Sequence, residues 1–133
     1  MTITELQHQY AGHPNVEALN KLLGKPAVRH IYCGGLYASA ASLFASALVE
    51  KSPCPFVFIL GDLEEAGYFY HDLTQVLGTE RILFFPSSFR RSVKYGQKDA
   101  ANEILRTEVL SRLQKGEEGL CIVTYPDALA EKV

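Results

Sequence analysis

The chain lacks most of the marks of a secreted, membrane-bound or metal-stapled protein. Its three cysteines, Cys33, Cys54 and Cys121, are an odd number, lie far apart and form no C-x-x-C pair. That spacing argues against a disulfide framework and against a zinc site, and it fits a reducing cytoplasm. No apolar run approaches the roughly 20 residues that span a bilayer. The start, Met1 to Gln9, is polar and carries Glu5, so it is no secretory signal. The formal net charge is only −2, which gives no overall basic field to attract nucleic acid. What remains is an ordinary soluble composition, 47% hydrophobic over 133 residues, enough for one domain with a real core.

The most informative absence is a single lysine. In the stretch Ala27 to Glu50 a β-type run, Ala27 to Cys33, enters a Gly34-Gly35 turn, and a helix rich in small residues follows. Strand, glycine turn and helix N-terminus form the geometry that cradles phosphates, because free backbone N–H groups point out of the turn. The phosphate-loop template is G-x-x-x-x-G-K-[ST]. Set from Gly35, the chain offers Ala40 where the second glycine belongs and Ala41 where the lysine belongs, and only Ser42 survives. The lysine offsets phosphate charge and the hydroxyl helps to hold magnesium. The loop Gly34, Gly35, Ser39, Ala40, Ala41, Ser42 therefore reads as a vestige kept for packing, with no cofactor expected. Backbone N–H groups alone would hold a phosphate only weakly.

Along the chain, Asn15–Leu23 reads as a short helix with Val16, Leu19 and Leu23 on one face, following a stop at His13-Pro14. A helix from Tyr37 carries Leu36, Ala40, Leu43, Phe44, Ala47 and Leu48 as an apolar stripe, and its slim first turn suits close packing on a sheet. Phe56–Leu60 is an unbroken apolar run, as in a strand buried on both faces. Asp62 caps the next helix with Glu65 in capping-box register, Leu63, Ala66, Tyr70, Leu73 and Leu77 face inward, and Gly78 stops it. Arg81–Phe85 is a third strand, and Asp99 caps a helix to Lys115 with Ala101, Leu105, Val109 and Leu113 inward. Leu120–Thr124 is a fourth strand, and Tyr125-Pro126-Asp127 opens a last helix. The expected fold is α/β: a parallel sheet of about four strands with helices on both faces, like a degenerate P-loop NTPase domain. Residues 1–26 form a helical lead-in and 27–133 the sheet domain. The last helix stops short at Val133, as in a fragment of a longer multidomain protein.

Other chemistry is weaker. Ser39 sits after the strand as a hydrolase nucleophile would, but Tyr37 and Ala41 replace the glycines of G-x-S-x-G, and only His71 follows it. A first-turn helix position explains it better. Asp62, Glu64 and Glu65 follow a strand, as magnesium-binding acids do, yet capping accounts for all three. Arg90, Arg91, Lys94 and Lys98, interleaved with Phe89 and Tyr95, read first as a solvated loop, with contact to DNA backbone or an acidic protein face as the alternative. The histidines His8, His13 and His30 show no ligand spacing with Cys54, so no metal is expected.

Several segments, in order, resemble the bacterial transcription-repair coupling factors, the Mfd family. They are Gly35 to Ala41 before a helix, Asp62-Leu63-Glu64-Glu65-Ala66 opening the next, and Phe84-Phe85-Pro86-Ser87-Ser88 after the third strand. Glu103–Leu113 resembles the family's R-L-x-x-L helix, and Ile122 to Leu129 its V-T-x-x-x-A-L. The resemblance runs from about Ala27 onward. It implies the first part of a UvrB-like module with a ruined nucleotide loop, where UvrB itself keeps G-K-[ST]. The implied role is a non-catalytic scaffold in nucleotide excision repair, helping to recruit UvrA to RNA polymerase stalled at DNA damage. UvrA would bind through the adjoining segment. RNA polymerase and DNA would meet the rest of the parent, a helicase-like translocase that hydrolyses ATP with magnesium in a separate motor. No membrane partner is implied. The chain departs from the family at Phe89 to Tyr95, where members commonly carry an acidic W-E-x-x-P-Y-D stretch, so no contact of that stretch carries over. Two other classes remain open on the residues alone: a small nucleotide- or phosphate-binding domain using Gly34-Gly35, and a DNA-binding module using the basic segment 90–98.

Overall fold

A computed structural model of the chain describes residues 1–27, 30–36, 38–52, 54–88 and 99–131. Its centre is an open sheet of three parallel strands, β1 (Phe56–Ile59), β2 (Ile82–Phe84) and β3 (Cys121–Thr124), in the order β1-β3-β2. Phe56 pairs with Cys121 and Ile59 with Thr124, and on the other side Ile82 also pairs with Cys121. Six helices are assigned among the described residues: α1 (Ile3–Ala11), α2 (Pro14–Leu23), α3 (Ser39–Lys51), α4 (Leu63–Leu77), α5 (Ala100–Gln114) and α6 (Pro126–Ala130).

Alternation along the strands divides the core into two layers. Ile82, Cys121 and Val123 join Ala45 and Val49 of α3 and Ala66, Phe69 and Leu73 of α4 in the larger cluster. Their sequence neighbours Leu83 and Ile122 point the other way and meet Val109 of α5. Helices therefore cover both faces, as expected for parallel strands.

The expected first strand does not form among the described residues. His30–Cys33 are irregular and exposed, while Val28 and Arg29 lie outside the described residues. The sheet has three strands rather than four because nothing pairs with the free side of β1 among the described residues. β1 also departs from the expected double burial: Val57 and Ile59 are 56% and 59% exposed. The reason is that α5 meets β2 and β3, and nothing described covers β1 on that face. Helix α3 begins at Ser39, so Leu36 stands outside it, and Tyr37 lies outside the described residues. Its small residues meet α4 as well as the sheet core. On α5 the buried face is turned by about one residue from the expected stripe. Arg106 and Val109 are buried, whereas Ala101 and Leu113 are exposed.

The lead-in holds a helix that the hydrophobic pattern did not announce. Thr2 and Glu5 form a capping box, with Glu5 N–H donating to Thr2 Oγ1 (3.1 Å) and Thr2 N–H to Glu5 Oε2 (3.0 Å). Helix α2 starts one residue early, at Pro14, with the His13 ring accepting from Asn15 N–H at 3.1 Å. Val16 of α2 packs against Ala47 and Leu48 of α3, and the α1 side chain Gln7 donates to Glu50 of α3.

Candidate functional site

The candidate site is the cleft in front of α3. The chain reaches it through Gly35, whose φ of +81° lies where a side chain would strain the backbone. Ala38 follows with φ 50° and ψ −134°, a glycine-type conformation held by a residue with a Cβ. Ala38 provides no side-chain cap, so the N-terminus of α3 starts without one.

The hydroxyls of its first turn are met from across the cleft. The Ser42 hydroxyl donates to Asp72 Oδ2 at 3.0 Å and the Ser39 hydroxyl to the same oxygen at 3.2 Å. Asp72 belongs to α4, and its charge lies where a helix N-terminus favours an anion. The carboxylate thus sits on Ser42, the residue whose hydroxyl would help to hold magnesium in an intact loop, and on its neighbour Ser39. The open cleft, about 550 Å³, is also lined by Leu36, Leu60, Glu65 and Tyr68. Two carboxylates and no cationic side chain line it among the described residues. A triphosphate entering here would meet repulsion of roughly 4 kcal/mol for each pair of unit charges at about 4 Å in a surface-like dielectric.

The remaining predicted residues fall as follows. Ala40 and Ala41 lie in the first turn of α3, and Ala41 lines the cleft where a lysine would have pointed. Gly34 sits apart, beside the Tyr32 ring. Ser39 donates to the Asp72 carboxylate rather than to a histidine, and His71 is exposed on α4. Asp62 caps α4 by accepting from Glu65 N–H at 2.9 Å, while the Glu65 carboxylate accepts from Gly61 N–H at 3.1 Å. No group of three metal-binding side chains occurs among the described residues. Cys121 is buried, and burial pushes its thiol up to about 11, so it is no nucleophile at neutral pH. The basic residues Arg90, Arg91, Lys94 and Lys98 lie outside the described residues.

The base from which that segment departs is well defined. Asp99 N–H donates to Ser88 O at 2.6 Å, closing the chain between the two ends. Beneath it Arg106, 5% exposed, donates to Pro86 O (2.8 Å) and Ala128 O (3.0 Å) and lies over the Phe85 ring at 4.1 Å. Glu131 accepts from the Ser87 hydroxyl at 2.8 Å, from Ser88 N–H at 3.0 Å and from the Ser88 hydroxyl. Burial opposes the Glu131 charge, but the Ser88 and Ser87 hydroxyls, Ser88 N–H and Arg106 outweigh it and hold the carboxyl below its usual range. The Tyr125 hydroxyl accepts from Ser87 N–H at 2.8 Å, and Asn102 donates to Ser87 O at 3.0 Å.

Sequence reasoning missed Asp72, Arg106 and Glu131. A signal for Asp72 existed: Tyr68, Phe69, Gln75 and Val76 occupy its helical neighbour positions, so its charge had no local cation and had to find a partner on another element. No protein-family model, no curated protein and no solved structure matches the chain. No helix among the described residues is long and apolar enough to cross a membrane.

Proposed function

We propose that this chain is a non-catalytic scaffold, the opening part of a UvrB-like module in a transcription-repair coupling factor, built on a degenerate P-loop NTPase-like domain. The observation that carries the non-catalytic reading is the Asp72 carboxylate on Ser39 and Ser42, beside a loop that has alanine where the lysine belongs. An internal anion sits on the first-turn hydroxyls of α3, and among the described residues no cationic side chain lines the cleft to offset a second one. The repair assignment rests on the ordered motifs from Gly35 to Leu129. UvrA recruitment, polymerase release and ATP hydrolysis are placed in the rest of the parent protein, and the fragment contributes the sheet that supports the adjoining UvrA-binding segment. Isothermal titration calorimetry with ATP and magnesium tests the first half: no binding is expected at millimolar nucleotide. Saturable heat lost on Ser42→Ala would refute the scaffold reading in favour of a working nucleotide site.

A further inference from the structure

Helix α4 holds a glycine that the fold does not require. Gly67 is the fifth of its 15 residues, an interior position where glycine weakens a helix relative to alanine. A Cβ at Gly67 would meet nothing within 4 Å, and its φ is not positive, so neither crowding nor backbone conformation calls for glycine. What glycine does provide is close access to the helix backbone from outside.

The space above it is a groove of about 470 Å³, lined by Leu63, Glu64, Gly67, Tyr68, His71 and Phe84, with mostly apolar walls. Tyr68, 67% exposed, also lines the cleft in front of α3, so its ring forms the ridge between the two hollows. An exposed tyrosine beside an apolar notch combines a large contact area with a polar tip, the pairing that interface anchors favour.

Charge selects what fits. Helix α4 carries Glu64, Glu65 and Asp72, is capped by Asp62, and contains no lysine or arginine. Among the described residues the exposed Glu64 carboxylate has no ion pair. Glu64 and Asp72 are eight residues apart, about 12 Å along the helix at 1.5 Å per residue. Cations spread along a chain match this field, and a single small cation does not.

We propose that the Gly67 groove docks a basic polypeptide segment of another protein. An apolar side chain of that segment enters above Gly67, and flanking arginine or lysine side chains lie on the Tyr68 ring and pair with Glu64. The groove is indifferent to which parent protein carries the chain.

The test pans a phage-displayed random-peptide library on the whole chain and measures the selected peptides by fluorescence anisotropy. Selected peptides are expected to join arginine or lysine to leucine, isoleucine or phenylalanine. Gly67→Gln fills the groove without a clash and raises helix propensity, and Tyr68→Ala removes the ridge; each should weaken binding at least ~10-fold. Glu64→Gln should weaken it about 3-fold and make it less salt-sensitive, with Glu108→Gln on α5 as the unchanged control. No selected peptide, acidic or uncharged peptides only, or basic peptides that bind Gly67→Gln as well as the parent chain would overturn the proposal. So would a dimer in sedimentation that Gly67→Gln dissociates, because a second copy would then own the groove. Should Tyr68→Ala fail to fold, hydrogen exchange on the unsubstituted chain decides: α4 amides slowed at least ~3-fold by the bound peptide support docking, and unchanged rates refute it.

Discussion

Replacing Asp72 separates a carboxylate that holds α3 in place from one that merely lies nearby. In Asp72→Ala, the Ser42 hydroxyl, on a buried residue, loses a charge-assisted bond of 3.0 Å, worth about 1.5 kcal/mol or more. The Ser39 bond of 3.2 Å is exposed and adds about 0.5 kcal/mol. Loss of a negative charge near the helix N-terminus adds roughly 0.3–1 kcal/mol. The total is about 2–3 kcal/mol, against about 1 kcal/mol for Asp72→Asn, which keeps an acceptor and loses only charge. Urea unfolding followed by circular dichroism measures both, with an unchanged m-value confirming that the folded states are comparable. A double-mutant cycle with Ser42→Ala isolates the pair, and coupling of about 1 kcal/mol is expected. Sulfate would recover part of the loss in Asp72→Ala, where the cradle is vacated, and add nothing specific to the parent chain. If Asp72→Ala unfolds within ~0.5 kcal/mol of the parent, the carboxylate does not anchor α3 and the internal-anion argument fails.

Arg106→Met keeps volume but strips donors from Pro86 O and Ala128 O and leaves Glu131 without its cation, so about 3–5 kcal/mol of stability is lost in the same assay. Glu131 has a lowered folded pKa, so the unfolded chain binds more protons in acid. Its stabilisation is complete above the unfolded value near 4.5 and disappears as pH falls through the folded value. Glu131→Gln should therefore flatten the acid limb of a stability–pH curve, and an unchanged slope would count against the cluster. Ala38→Gly relieves a backbone with φ 50°, and after the added unfolded-state entropy a net gain of about 1 kcal/mol is expected in thermal unfolding.

What the sequence disclosed follows from which signals are local. Caps are local, and Asp62, Asp99 and Gly78 all sit where the pattern placed them. Strands β2 and β3 were legible as short apolar runs ended by Pro86 or begun after Gly119. Burial of a strand on both faces is not local, and Phe56–Leu60 misled because its second face depends on an element that α5 does not supply. The run Ala27–Cys33 has strand composition, but strand formation needs a paired edge, which residues 30–33 do not have in this conformation. The sequence reading of the candidate loop named Ser39 and Ser42 but not the carboxylate that meets them. Asp72 lies 30 residues beyond Ser42, and only the packing of α4 on α3 brings them together.

Open α/β sheets take ligands at the carboxyl ends of their strands, where connections to opposite faces diverge. This sheet has two such places, and the chain itself occupies both. After β1, Asp72 answers the serines of α3. After β2 and β3, Arg106 and Glu131 bind the backbone and hydroxyl groups of residues 86–88 and 128. Among the described residues no buried side-chain nitrogen or oxygen is left without a partner. The unsatisfied surface lies instead along β1, where backbone and apolar side chains face outward.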